Sequence, residues 1–225
     1  QELDIERAAT LIEDALKSPT SRSVALTFQR TTPGRPPVTN LEILVKQIID
    51  LTPFDGVVGF YLLDLQNGDE IHFGYNANQD IPVEPDIAFT ASSTIKIPIL
   101  VSLYKNLGPE IDQATQNLIT EMLSKSSNEA SDALMRKIDP GRGPLVVTQD
   151  MQTIGLTNTF LGGYFCSPLN PCALLQRFET PANKRADVFT DPDIYNQTTT
   201  SDAGALLADI YQCAETGGGA LVATF

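Results

Sequence analysis

The sequence predicts an α/β (α+β) domain, in which a helical lobe lies beside an antiparallel sheet that helices cover. The 225 residues are 42% hydrophobic and 19% charged, which is typical of a chain that buries a sizeable core. Asn67-Gly68 separates two strand-like runs, and this dipeptide is the strongest short-range signal for a β-hairpin. Apolar residues recur at helical spacing on both sides of the hairpin. A sheet covered by helices accommodates this order of elements.

Composition excludes several function classes. With 28 acidic and 15 basic residues, the formal net charge is −13, so we expect no nucleic acid and no anionic membrane surface as a partner. The longest apolar runs, such as 95–103, fall short of the roughly 18 to 20 residues that a membrane span requires. Three cysteines and one histidine are too few for a typical zinc site, so we expect no metal and no cofactor. A Ser/His/Asp triad has no good candidate either.

Residues 1–37 are predicted to form an N-terminal segment. Four apolar residues follow helical spacing: Ile5, Ala8, Ile12 and Leu16. A strand-like run at 24–28 comes next, and the prolines and glycine of 31–37 mark a linker. The sequence therefore predicts a helix, a short strand and a linker over 1–37, and a domain over 38–225.

The predicted domain begins with a helix and the hairpin. The helix carries an apolar stripe of Leu41, Leu44, Ile48 and Leu51. The two strands span 56–65 and 70–75. Further helical patterns follow near Ser93, over 111–123 and 129–138, and from 198–200.

Ser93 and Lys96 are the first candidate catalytic residues. If a helix begins near Ser93, the two side chains share one face and the hydroxyl lies at the positive end of the helix dipole. A desolvated amine beside a hydroxyl can take its proton, which gives an activated nucleophile without histidine. Ser102 and Lys105 have the same spacing, but they fall in the middle of the helix, and we expect that pair to face solvent.

Ser126-Ser127-Asn128 lies on a turn between two predicted helices, so its hydroxyl and carboxamide can point into one cleft. Together with Ser93 and Lys96, this order resembles the penicillin-recognising serine hydrolases, specifically the class A β-lactamase-like group of the DD-peptidase and transpeptidase superfamily. That group pairs S-x-x-K with S-D-N. The middle residue is serine here instead of aspartate. The resemblance covers roughly residues 40–215 and includes the helix and hairpin before Ser93.

The resemblance implies a reaction through an acyl-enzyme. Ser93 would be the nucleophile, Lys96 its base, and Ser126 the relay that passes a proton to the leaving nitrogen. Asn128 would hold the substrate amide, and the Ser93 N–H would form part of the oxyanion hole. The implied partner is a small-molecule β-lactam or an acyl-D-alanyl peptide. The implied location is outside the cytoplasm: periplasmic, secreted or at the cell surface.

Arg177-Phe178-Glu179 with Asn183 resembles the R-x-E-x-x-x-N pattern of the same family's Ω-loop. This implies that Glu179 positions the deacylating water and that Asn183 belongs with the substrate-binding residues. The interval from Asn128 to Glu179 is longer than the family's, whereas that from Ser93 to Ser126 is shorter.

The role of Glu179 and the pairing of two nearby cysteines each have an alternative interpretation. Glu179 could instead be a bracing residue paired with Arg177 or Arg185, which leaves Asp193 as the reserve base. Cys166 and Cys172 could close a small disulfide, and the sequence does not decide whether they do.

The family's third motif, K-T-G or K-S-G on an inner strand, does not follow Thr200. We therefore expect a β-lactamase-like fold that lacks its C-terminal strands in this chain. Because an open two-stranded sheet is marginal in water, we expect its edge to be covered. The candidates are the strand at 24–28, a second chain, or a C-terminal segment missing from this chain.

Three functions follow from these observations. The first is a serine hydrolase that opens β-lactams, which the Ω-loop pattern favours. The second is a DD-peptidase or esterase-like enzyme of cell-wall peptides. The third is a non-catalytic binding module with this fold, which the missing third motif favours.

Overall fold

A computed structural model describes residues 2–3, 5–17, 24, 28–29, 37–76, 82–83, 85–165 and 174–217. Cys166 and Cys172 lie outside the described residues. The chain divides into two compact units, Gln1–Val45 and Lys46–Phe225. The sequence-based boundary between residues 37 and 38 stays a prediction.

The first unit contains the predicted N-terminal helix, α1 (Ile5–Lys17). Two short antiparallel strands, β1 (Glu2–Leu3) and β2 (Phe28–Gln29), pair with each other. The predicted strand at 24–28 is thus observed only at its end, since 25–27 lie outside the described residues. In the described residues β2 pairs with β1, and whether the strand at 24–28 covers the edge of the hairpin stays a prediction.

Helix α2 (Val38–Leu51) confirms the predicted helix, but none of its residues is buried. The four residues of its apolar stripe are exposed: Leu41 (40%), Leu44 (54%), Ile48 (64%) and Leu51 (85%). Helical periodicity therefore predicted the helix correctly, but it carries no information on whether the apolar face of the helix is buried.

The predicted hairpin forms from β3 (Val57–Leu63) and β4 (Glu70–Asn76), paired from Val57 opposite Asn76 to Leu63 opposite Glu70. Gly68 in the turn has a φ of 79°, which glycine adopts without steric cost. A third strand, β5 (Pro82–Val83), pairs with β4, so the sheet order is β3-β4-β5. Within the described ranges, no strand pairs with the outer edge of β3.

The helical lobe follows the sheet in the chain. A 3-10 turn over Ser92–Ile95 leads directly into α3 (Lys96–Leu107). The remaining helices are α4 (Gln113–Lys125), α5 (Asn128–Ile138), α6 (Gly143–Thr153) and α7 (Thr200–Thr216). Between α6 and α7, a short ladder pairs β6 (Phe160–Leu161) with β7 (Asn196–Gln197). This mixture of a helical lobe and an antiparallel sheet confirms the predicted fold class.

Helix α3 is central to the core. Its face of Ile95, Ile99 and Leu103 is at most 1% exposed, and it packs with Leu134 and Met135 of α5 in one apolar cluster. Full burial of such side chains stabilises a fold by about 1.5 to 3 kcal/mol each. The sequence around Ser93 is therefore anchored to a helix whose apolar face is almost completely buried.

Helix α7 packs against the sheet through a close approach. A Cβ built on Gly204 would lie 2.1 Å from the ring of Tyr61 in β3. Since a real Cβ never comes that near another heavy atom, only glycine allows this helix to lie so close to the strand.

The second Ser-x-x-Lys pair corrects an expectation. Ser102 is fully buried instead of facing solvent, and its hydroxyl donates to the Asp150 carboxylate in α6 at 2.5 Å. Lys105 Nζ lies 2.9 Å from the other oxygen of Asp150, and Asn106 also donates to this carboxylate. The apolar contacts of α3 hold this face of the helix against α6, so its polar residues are buried with a carboxylate partner.

Candidate active site

The amine of Lys96 lies at the centre of a group of polar side chains. Its Nζ is 3.1 Å from Ser93 Oγ, 2.8 Å from Ser126 Oγ and 2.9 Å from Asn128 Oδ1. The backbone carbonyl of Ser126 accepts from the same Nζ at 2.7 Å. Ser126 Oγ is also 2.8 Å from Ser93 Oγ. We refer to Ser93, Lys96, Ser126 and Asn128 as the Lys96 cluster.

Local structure explains why these four residues meet. Ser93 and Lys96 are three residues apart across the 3-10 turn and the start of α3, a spacing that puts both on one face. Ser126 ends α4 in the left-handed conformation, with a φ of 55°. Ser127 then caps α5 by accepting from Ala130 N, so that Asn128 begins the next helix. One tight turn therefore aims both the hydroxyl and the carboxamide at Lys96.

The hydrogen bonds of the Lys96 cluster converge on the amine. Its Nζ donates to the oxygens that only accept, Ser126 O and Asn128 Oδ1, and both serine hydroxyls lie within reach of the same Nζ as further acceptors. The Ser126 hydroxyl in turn donates to Ser93 Oγ. If Lys96 is deprotonated, its lone pair lies within reach of the Ser93 proton, because the two heavy atoms are 3.1 Å apart.

Burial shifts the protonation equilibrium of Lys96 toward the neutral amine. The side chain is 3% exposed, beneath the exposed residues Ser93, Ser126 and Asn128. Burial lowers the pKa of the amine from its ordinary value of 10.5, and the charge of Glu129 opposes this only in part. The centroid of the Phe165 ring lies 5.2 Å from Nζ on another side of the amine.

The residues of the Ω-loop-like pattern form a separate group. Glu179, Asn183 and the reserve candidate Asp193 line a cavity of about 200 Å³, together with Arg177 and other residues. Within the part of the chain that the structure describes, no hydrogen bond or ion pair joins Glu179 or Asn183 to the Lys96 cluster.

Glu179 is 75% exposed, and its carboxylate pairs with Lys184 Nζ at 2.6 Å. Its partner is thus Lys184, not Arg177 or Arg185; the latter pairs with Asp187. The hydrogen bond from Lys184, and then its charge, lowers the pKa of Glu179 below its usual value. The Asn183 carboxamide bonds within its own loop, since Oδ1 accepts from Thr180 N and Nδ2 donates to Phe178 O.

Comparisons with known proteins give a limited result. No protein-family model and no curated protein matches the sequence. Among solved structures, the chain is similar to one titled "Ancestral (GNCA) Beta-lactamase class A", with a TM-score of 0.46 and 18% sequence identity. That match covers 81% of this chain and 67% of the other. At this identity and TM-score, the likeness assigns no activity.

Two residues beside the Lys96 cluster were not singled out from the sequence. Phe165 lies against the amine, and Asn196 accepts the N–H of Ser92, the residue before Ser93, at 2.8 Å. Asn196 is 104 residues away from Ser92 in the chain. No local pattern reports a contact over that separation, so the sequence carried no signal for it.

The described residues contain neither a candidate metal site nor a candidate membrane-spanning helix. Among the described residues, no group of three or more His, Cys, Asp and Glu side chains could hold a metal ion. None of the helices in the described ranges has the length and apolar character needed to cross a membrane.

Proposed function

We propose that this chain is a serine hydrolase that acts through an acyl-enzyme and that β-lactams are its substrates. The observation that carries the proposal is the buried Lys96 amine, which lies among neutral oxygens and within hydrogen-bonding reach of two serine hydroxyls. Burial lowers the pKa of this amine below 10.5, which makes its neutral, proton-accepting form more accessible.

In the proposed reaction, Ser93 Oγ adds to the lactam carbonyl carbon as its proton passes to Lys96 Nζ. The C–N bond of the tetrahedral intermediate then breaks, and the Ser126 hydroxyl protonates the leaving nitrogen. Lys96 returns its proton to Ser126, which leaves an ester on Ser93 and a neutral amine. The distances of 2.8 to 3.1 Å among these three groups support such a proton path.

Two groups would bind the substrate during this step. Asn128 lies at the exposed side of the Lys96 cluster, where its amide can meet the substrate amide. The N–H of Ser93 belongs to the first turn of the 3-10 helix, where backbone N–H groups have no intrahelical partner. We assign it to one half of the oxyanion hole.

The β-lactam class rests on the order S-x-x-K followed by S-x-N, which resembles the penicillin-recognising hydrolases. In a lactam the nitrogen stays tethered after the ring opens, so a proton relay beside the nucleophile is directly useful. With this substrate class we also propose that the protein acts outside the cytoplasm, where such compounds and cell-wall peptides occur.

One observation favours the second candidate, a DD-peptidase-like enzyme that releases β-lactams slowly. The Glu179 carboxylate is exposed and paired with Lys184, and among the described residues no hydrogen bond or ion pair joins it to the Lys96 cluster. An acyl-enzyme without a base to activate water would persist. The two candidates share acylation and differ in the rate of release.

Intact-protein mass spectrometry under denaturing conditions tests the proposal. Ring opening expels no fragment, so brief incubation with a penicillin should add the full mass of the compound, and peptide mapping should find it on Ser93. Penicilloic acid, whose ring is already open, is the control and should add nothing. An unchanged mass in both wild type and Glu179→Gln, with no penicilloic acid formed from the penicillin, would exclude the acyl-enzyme and favour the non-catalytic binding module.

The variant Glu179→Gln separates the first two candidates. If Glu179 positions the hydrolytic water, the variant should acylate at the wild-type rate and keep its adduct far longer. Lys184→Ala is the matched control, because it frees the carboxylate without removing it. Equal adduct lifetimes in wild type and Glu179→Gln would remove Glu179 from the mechanism.

A further inference from the structure

We infer that Asn196 is a positioning residue that holds Ser93 in register with Lys96. This inference rests on the proposed function, because its effect appears in the acylation of Ser93. It is drawn from the backbone beside the nucleophile, and neither the motifs nor the resemblance involve Asn196.

The residue before the nucleophile has an uncommon conformation. Ser92 has a φ of 50°, in the left-handed region that a side chain with a Cβ disfavours. Such a conformation persists only where surrounding contacts impose it. Its N–H donates to Asn196 Oδ1 at 2.8 Å, and Asn196 is 8% exposed. A buried carboxamide therefore fixes the backbone at the residue that leads into Ser93.

Asn196 is itself held in place. It belongs to β7, where it lies opposite Leu161 of β6, and Leu161 is 2% exposed. The following residues continue the attachment, because Thr198 and Phe89 exchange both backbone hydrogen bonds at 3.0 Å. On the other side of Asn196, the N–H of Asp193 donates to Thr90 Oγ1 at 2.8 Å.

The segment 193–198 is thus attached to the segment 89–92 at three points, and the contact from Asn196 is the nearest to Ser93. Without that contact, Ser92 is free to relax toward a negative φ. Rotation there would move Ser93 Oγ relative to Lys96 Nζ, from which it is only 3.1 Å away. A displacement on the order of 1 Å in reacting groups can reduce a rate about 100-fold.

Three substitutions and a control test this role. Asn196→Ala removes the acceptor, Asn196→Leu removes it while keeping most of the volume, and Asn196→Asp keeps an acceptor oxygen. Asn158→Ala is the matched control, since Asn158 is also 8% exposed and its Oδ1 accepts a distant backbone N–H, that of Ala182. Acylation by a penicillin is followed by mass spectrometry at several concentrations.

We expect Asn196→Ala and Asn196→Leu to lower the first-order acylation rate constant by about 10- to 100-fold and to leave the half-saturating concentration unchanged. Asn196→Asp should recover most of the rate. Asn158→Ala should acylate at the wild-type rate. Unfolding midpoints measured on the same samples identify any variant that does not fold, and the leucine variant then replaces the alanine variant.

The outcomes are distinguishable. If wild type acylates and the folded Asn196→Leu variant does so equally fast, the positioning role is overturned while the proposed function stands. An equal loss in Asn158→Ala would also overturn it, because any buried carboxamide would then have the same effect. If wild type forms neither an adduct nor hydrolysed penicillin, the proposed function fails, and this inference fails with it.

Discussion

Helix α3 and the turn before it hold two pairs with the spacing Ser-x-x-Lys, one at the start and one nine residues later. At the start, Lys96 faces two hydroxyls, a carbonyl and a carboxamide, all of them neutral. In the later pair, Lys105 lies 2.9 Å from the Asp150 carboxylate. Both lysine side chains are largely buried, so the two amines differ mainly in the charge of the groups that face them.

A carboxylate in contact stabilises the ammonium form, whereas burial among neutral groups favours the amine. The same spacing therefore yields an ion pair that joins α3 to α6 in one place and a candidate base in the other. Spacing indicates which side chains share a face, and the opposing element decides what chemistry they have.

Alanine substitutions of the two serines should give the largest difference between the two pairs, one variant losing activity and the other losing stability. Ser93→Ala should abolish the penicillin adduct and leave the free energy of unfolding within about 0.5 kcal/mol, because Ser93 is exposed. Ser102→Ala should keep the adduct and lose about 1 to 2 kcal/mol of stability, because the buried Asp150 loses a donor. Mass spectrometry and urea unfolding measure the two effects, and the reverse pattern would refute the assignment.

The lysines provide the next largest contrast. Lys96→Met should slow acylation by about 10² to 10⁴-fold, the range expected for loss of a general base. Lys105→Met should leave the acylation rate within about twofold of wild type, although it removes an ion pair. Similar losses in the two variants would mean that the helix as a whole, and not the Lys96 amine, controls acylation.

Asn128→Asp should make the first pair resemble the second. A carboxylate about 2.9 Å from Lys96 Nζ would raise the amine's pKa and lower the acylation rate at neutral pH by about 10- to 100-fold. If the neutral amine is the base, as proposed, the wild-type rate should rise with pH through a pKa that burial lowers from 10.5.

In the variant, this rise should move to higher pH, and part of the lost rate should return there. Rate–pH profiles of the two proteins measure the change. An unshifted profile in Asn128→Asp would show that protonation of Lys96 does not limit acylation.

The smallest predicted effect concerns backbone strain at Ser126, whose hydroxyl contacts both residues of the first pair. Ser126 has a φ of 55°, a conformation that favours glycine by about 1 kcal/mol over alanine. Ser126→Gly should therefore be about 1 kcal/mol more stable than Ser126→Ala, while both lose the proton relay and acylate slowly. Urea unfolding compares the two variants, and equal stabilities would contradict the strain.

The sequence predicted the features that depend on local patterns. The hairpin and the described helices other than α6 follow from periodicity and the Asn67-Gly68 turn, and they form, whereas α6 had no predicted counterpart. The four residues of the Lys96 cluster lie together because two short segments at helix ends carry them. Their catalytic roles stay predictions.

Contacts between distant segments could not be predicted. The burial of Ser102 depends on Asp150, which is 48 residues further along the chain. The pairing of β2 with β1 and the short strand β5 have no distinctive pattern of their own. Glu179 matches a motif, yet it lies in an irregular segment where Lys184 competes for its carboxylate. Charge pairing in a loop depends on side-chain directions that spacing does not determine.

The burial of helix α3 has a consequence for how folding of this protein can be followed. Because Ile95, Ile99 and Leu103 anchor the residues after Ser93 in the core, Ser93 should lose its position beside Lys96 only when that core opens. The rate of penicillin labelling in increasing denaturant would then report cooperative unfolding of the lobe. The amount of covalent adduct at Ser93 would then measure the fraction of the protein whose helical lobe is still folded.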